Sequence, residues 1–211
     1  MQARHDGRSI TDWAKAWRNF DVVAIASGPS LTDEDLLRVQ KWRSRGGDRR
    51  VIVTNTTFVR VPWADALFGF DNKWWKHHIA NVDRLFHGHR LSAAAIDPAW
   101  KVTKVGPPHV KTFGNCGTAC ISFSVWAGAA RVIMLAYDVG PGPKGEIHHH
   151  GDHPNGMSNA FSMPQWPSKF ENVARFAQSK GVELVNASRS TTLTCIPRVS
   201  LAQALRRAVA A

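Results

Sequence analysis

The sequence predicts an α/β fold in which helices cover both faces of a mostly parallel sheet. Three observations predict it. Short β-rich runs alternate with helical patterns along the whole chain, as they do where strands pair in parallel through helical crossovers. The run VVAIASGPS (22 to 30) passes at once into LTDEDLLRV (31 to 39), which is a buried strand, a tight turn and a helix start. Polar residues also gather at the ends of successive strands, where doubly wound sheets hold their ligands.

Each element can be read from its residues. The first strand is Val22 to Ser27, and the helix Thr32 to Trp42 comes after the Gly28-Pro29-Ser30 turn. In that turn Gly28 lets a ligand approach the backbone, Pro29 fixes the bend, and Ser30 offers a hydroxyl and an amide. The junction fits a phosphate turn or a plain connector with Ser30 or Thr32 as N-cap. Asp33, Glu34 and Asp35 already compensate the helix dipole, so an anion is expected on the turn rather than on the helix end. Val51 to Thr56 is the second strand and Ala66 to Phe70 the third, ending at Asp71. Asn72 to Val82 is helical, with Trp74, Trp75 and His78 on or near one face. Leu91 to Ile96 is a strand and Lys101 to Val105 a weaker one. Thr118 to Ala127 is an apolar helix closed by Gly128, and Arg131 to Val139 is the strongest strand pattern. Residues 140–164 form a Gly-, Pro- and His-containing loop, too long for a simple connector and so expected to be functional. Trp166 to Lys180 is a helix, Glu183 to Ala187 the last strand, and Ser200 to Ala210 a closing amphipathic helix.

With 211 residues, 44% of them hydrophobic and 20% charged, the chain suits one globular domain over 1–211, with residues 1–19 as an N-terminal extension. No apolar run approaches the roughly 18 residues of a membrane span, so no membrane insertion is expected. The polar start MQARHDGRSITDW lacks the apolar centre of a signal peptide. Cys116, Cys120 and Cys195 form no CxxC pair, which points to a reducing, cytoplasmic setting. The net charge of +11 favours polyanionic partners: nucleic acid, an anionic membrane surface or a phosphorylated substrate. The densest basic run, KWRSRGGDRR (41 to 50), either tracks a nucleic-acid backbone or is a solvated helix end and loop.

The strand ends supply the candidate site. They are Gly28, Pro29 and Ser30; Asn55 and Thr56; Asp71 and Asn72; Tyr137 and Asp138; Asn186 and Ser188. The Gly-rich turn Gly114-Asn115-Cys116-Gly117 precedes the apolar helix. The cluster His148-His149-His150-Gly151-Asp152-His153 fits a general base, a metal site or an exposed polar loop. Its spacing matches neither HExxH nor a zinc finger, so no metal ligands are assigned. Asp152 or Asp138 could orient a histidine base. Cys116, at a helix start, is either a nucleophile of depressed pKa or a small residue packed at a close approach.

Together the segments ASGPSL (26 to 31), TN (54 to 55), FD (70 to 71), GNCGTAC (114 to 120), VIMLAYD (132 to 138), HHHGDHP (148 to 154) and NASRSTTL (186 to 193) resemble a phage and bacterial Rossmann-like family. That family is related to hydroxymethylpterin diphosphokinase-like proteins, flagellin-associated glycosylation proteins and bacterial CMP-sialic-acid-dependent sialyltransferases. The resemblance covers roughly residues 20 to 195. It implies nucleotide binding by Gly28, Pro29, Ser30 and Asn55, with the Cys116-Gly117 turn nearby in place of the usual Ser-Gly. The usual Gly-x-Asp strand end is here Ala136-Tyr137-Asp138. His153 or His150 is the nearest match to the sialyltransferase base.

The expected activity is nucleotide-sugar-dependent glycosyl transfer with a histidine base and no cofactor beyond the donor. DNA carrying a hydroxymethylated base is a candidate acceptor, on charge. One alternative is a Mg²⁺-dependent diphosphokinase acting on a small alcohol, with Asp71, Asp138 and Asp152 as candidate ligands. The other is a non-catalytic nucleic-acid-binding or phage assembly protein.

Overall fold

Successive residues of the first strand are buried in opposite cores: Val22 and Ala24 in one, Val23 and Ile25 in the other. Burial on both faces is why the strand is apolar throughout. The computed structural model describes residues 12, 15–94, 96–154, 157 and 161–206. Its strands are β1 (Asp21–Ile25), β2 (Arg49–Thr54), β3 (Ala66–Phe68), β4 (His89–Ser92), β5 (Thr103–Lys104), β6 (Arg131–Leu135) and β7 (Glu183–Asn186). They form one sheet in the order β5-β4-β3-β2-β1-β6-β7, with every pairing parallel. The arrangement is a single Rossmann-like α/β domain.

The helices are α1 (Asp33–Ser44), α2 (Asn72–Leu85), α3 (Cys116–Trp126), α4 (Trp166–Ser179) and α5 (Leu201–Ala204). One core takes Leu36, Val39 and Trp42 of α1, Trp74, Trp75 and Val82 of α2, and Leu201 of α5. The other core takes α3 together with Phe170, Val173 and Ala177 of α4. Gly117 to Val125 of α3 are all buried, because the sheet lies beneath that helix and α4 packs against it; a helix so enclosed needs no polar face.

Strands β1 to β5 step outward in one direction, and α3 then carries the chain back to β6 on the other side of β1. That reversal opens a crevice beyond the carboxyl ends of β1 and β6. Several strands stop earlier than their apolar runs predict. β3 ends at Phe68, and β6 at Leu135 rather than Val139. In β6 the cause is local: Ala136 (φ 59°) and Val139 (φ 52°) are left-handed, which breaks the ladder. The closing helix spans Leu201–Ala204 among the described residues, under a Ser200–Gln203 capping box. Residues 207–210 of the expected helix, and most of the 1–19 extension, lie outside the described residues. From that extension Trp17 is buried, edge-on to Phe123 with ring centroids 5.2 Å apart.

The basic run at 41 to 50 joins the end of α1 to the start of β2, the edge of the sheet opposite the crevice. Arg43 makes two hydrogen bonds to Asp65, of 2.8 and 2.6 Å. Arg50 lies 4.6 Å over the Phe20 ring, Arg49 lies 5.6 Å over Trp42, and Trp42 itself is buried. The run therefore reads as a helix end and loop whose arginines fasten the amino edge of the sheet. Among the described residues no helix is long and apolar enough to cross a membrane.

Candidate functional site

The crevice is a cleft of about 340 Å³ beyond the ends of β1, β2, β3 and β6. Of the residues expected there, Gly28, Asn55, Asp71, Asn115, Cys116, Gly117, Asp138 and His153 line it. Pro29, Ser30, Thr56, His150, Asp152 and Ser188 do not.

The Gly-Pro-Ser turn does hold an anion, but one supplied by the protein. The Ser30 amide donates to Asp138 Oδ2 at 2.7 Å, and Ser30 Oγ donates to Oδ1 at 2.7 Å. The donors expected to meet a phosphate are therefore already engaged. Burial raises the Asp138 pKa and the two Ser30 bonds oppose that rise. Gly28 is required by the chain itself. Its amide donates to the Ala136 carbonyl at 3.0 Å, and a Cβ there would lie 2.4 Å from that oxygen. Ser188 is likewise structural: its hydroxyl accepts from the Tyr137 amide at 2.7 Å and its own amide donates to Asn186 Oδ1 at 3.0 Å. Thr56 accepts from Trp74 Nε1 at 3.3 Å and braces α2.

Across the cleft the 114–117 turn opens α3. Asn115 Oδ1 accepts from the Gly117 amide at 2.7 Å and the Thr118 amide at 3.3 Å, an N-cap. No acidic residue occupies the first turn of α3, whereas α1 begins Asp33, Glu34, Asp35. A Cβ on Gly117 would come within 2.8 Å of the Tyr137 ring, and Tyr137 Oη donates to the Gly117 carbonyl at 3.2 Å. Cys116 Sγ donates to Asn55 Oδ1 at 3.4 Å. Burial, with Asp71 adding to it, pushes its thiol up to about 12. A group held as the thiol is a poor nucleophile, so Cys116 takes the packing role.

The histidine cluster is stitched to the end of β1. Ser27 Oγ and His148 Nδ1 are hydrogen-bonded at 3.1 Å. The His149 amide donates to the Ser27 carbonyl at 2.9 Å, and His149 Nε2 is hydrogen-bonded to Thr57 Oγ1 at 3.2 Å. The rings of His148, His150 and His153 pack with centroids 4.9–5.1 Å apart. His148 and His153 line the cleft and His150 does not; the buried Nε2 of His150 has no hydrogen-bond partner. Burial holds His148 and His149 down at about 4 and His150 at about 3. Burial also lowers His153, but the negative charges of Asp152 and Asp71 work against it there. Burial thus favours the uncharged form of all four imidazoles. Among the described residues no three His, Cys, Asp or Glu side chains are arranged to hold a metal ion.

Sequence reasoning missed part of the wall. His148 is one of four histidines within six residues, and period-2 alternation on an extended loop could not place it on the cleft. Trp166, readable from the sequence as core or pocket wall, opens α4 and lines the cleft, with Nε1 donating to Ser162 Oγ at 2.9 Å. Left-handed backbone at Asn55, Ala136 and Val139 also lines the cleft. Such strain in non-glycine residues concentrates at functional sites, and no sequence pattern announces it. No protein-family model matches the chain, and no curated protein matches it.

Proposed function

We propose that the chain is a nucleotide-sugar-dependent glycosyltransferase with a histidine general base. The observation that carries this reading is a pair of neutral imidazoles, His148 and His153, on a cleft at the sheet's switch point, together with the Gly-rich start of α3. His153 is the better base. Asp71 and Asp152 favour its cation, so a proton taken from an acceptor hydroxyl is stabilised where it arrives. Because Asp138 occupies the Gly-Pro-Ser turn, the nucleotide phosphates belong at the 114–117 turn, on the dipole-positive end of α3 with no acidic residue in its first turn. His148, tied to Ser27, positions the loop.

A thermal-shift panel of CMP, UDP, GDP and ATP and their sugar conjugates, with and without Mg²⁺, tests the reading. A ligand at a hundred times its Kd stabilises by about 2.7 kcal/mol. Silence across the panel sinks it. His153→Ala should keep the nucleotide shift and lose transfer; in a non-catalytic nucleic-acid-binding protein the same change would leave function intact.

One observation favours the diphosphokinase reading: Asp71 and Asp138 share the cleft. Asp138, however, spends both oxygens on Ser30, and Asp152 lies outside the lining. Activity that disappears with EDTA would favour it. The DNA acceptor rests on net charge alone, since the densest basic run is fastened to the far edge. It predicts duplex binding that weakens steeply with salt.

A further inference from the structure

A second chamber, of about 440 Å³, adjoins the cleft beside the start of α2, where Asn72, Lys73 and Trp74 join Asn55, Asp71 and His153 in lining it. Asn55, Asp71 and His153 line both chambers. Two molecules, one in each, would meet at those three residues and nowhere else in the shared lining. A group-transfer enzyme needs that arrangement, with its base at the meeting point.

We infer that the second chamber is the acceptor subsite and that it takes a small neutral molecule rich in hydroxyls, of monosaccharide or polyol type. The inference rests on the glycosyltransferase reading of the cleft. The volume is that of a small-molecule pocket, which runs from about 300 to 1,000 Å³. Its polar groups are two amides, one carboxylate and one ammonium, beside the imidazole of His153. That set offers donors and acceptors to hydroxyls and has no excess charge to select an anion. Trp74 is buried, and its indole nitrogen is bound to Thr56, so it serves as an apolar wall. In the step itself, the acceptor O–H gives its proton to an imidazole nitrogen of His153. The acceptor oxygen bonds to the anomeric carbon of the donor. The bond from that carbon to the nucleotide phosphate breaks, and the phosphate oxygen leaves with the electron pair.

Asn72 and Lys73 line the second chamber and not the first, which makes the test selective. Saturation-transfer NMR on the full chain, with glucose, galactose, mannose, N-acetylglucosamine and ribitol as probes and no donor present, reads this chamber directly. At least one probe should bind. Asn72→Trp, which fills the second chamber, should weaken that probe by about tenfold or more while the nucleotide thermal shift stays. Lys73→Trp repeats the block from the next position should the first variant lose its circular dichroism. Binding by no probe, or binding that survives both blocks, overturns the subsite. A silent nucleotide panel with sugar binding intact would instead sink the donor reading alone, so the two failures are distinguishable.

Discussion

Ser30 gives both its amide and its hydroxyl to the carboxylate of Asp138, each at 2.7 Å. This clasp joins the turn after β1 to the exit of β6 across the switch point. Asp138→Ala should leave two half-buried donors unpaired and cost about 1–3 kcal/mol, measured by urea unfolding. If the variant matches the parent, the clasp is not a stability element.

Beneath that clasp the backbones cross closely. Gly28→Ala would place a methyl 2.4 Å from the Ala136 carbonyl, a backbone atom that cannot swing aside, and 2.6 Å from the Asp138 carboxylate. The strain should destabilise by about 1–3 kcal/mol and lower the melting temperature. Wild-type stability in Gly28→Ala would show that the two turns can separate freely.

The histidines set a pH dependence. Their folded pKa values, about 4 for His148 and His149 and about 3 for His150, lie below the ordinary 6.5. Between those values the unfolded chain binds more protons, so stability rises with pH. The stabilisation should be complete above about pH 7 and should decline as pH falls from about 6.5 towards 4. Urea midpoints at pH 7, 6 and 5 read it. His150→Phe should flatten the profile, and an unchanged profile in that variant would exclude His150 as a source.

Thiol labelling separates the cysteines. Cys195 is exposed and Cys120 buried, and the Cys116 thiol stands at about 12. Iodoacetamide at pH 8, with mass spectrometry as the readout, should modify Cys195 first and leave Cys116 largely unmodified in the folded protein. Rapid, selective labelling of Cys116 would restore the nucleophile reading.

Much of the fold was legible because strand and helix periods are local properties. Every strand and helix predicted from the alternation has a counterpart among the described residues, with bounds shifted by a few residues, save the closing helix, which is helical only over Leu201–Ala204 there. Edge strands and strand ends were less legible. The left-handed turns at Ala136 and Val139 interrupt an apolar run that would otherwise continue to residue 139. Of the site, Asn55, Asp71 and the 114–117 turn were legible from their places just past strands or at a helix start, and His153 from the histidine cluster of the long loop. Ser30 and Ser188 met the same criterion, yet their side chains turn inward onto Asp138 and Tyr137.

The sequence by itself determined the alternating elements, the two-sided burial of the sheet and the polar character of its carboxyl edge, since each depends on residues close together in the chain. Only the tertiary structure decided which of those polar groups face the cleft. Asp138 reaches Ser30 from 108 positions away, and His148 reaches Ser27 from 121 away. Contacts at such separations depend on how the crossovers bring strand ends together, and that geometry leaves no periodic trace in the residues.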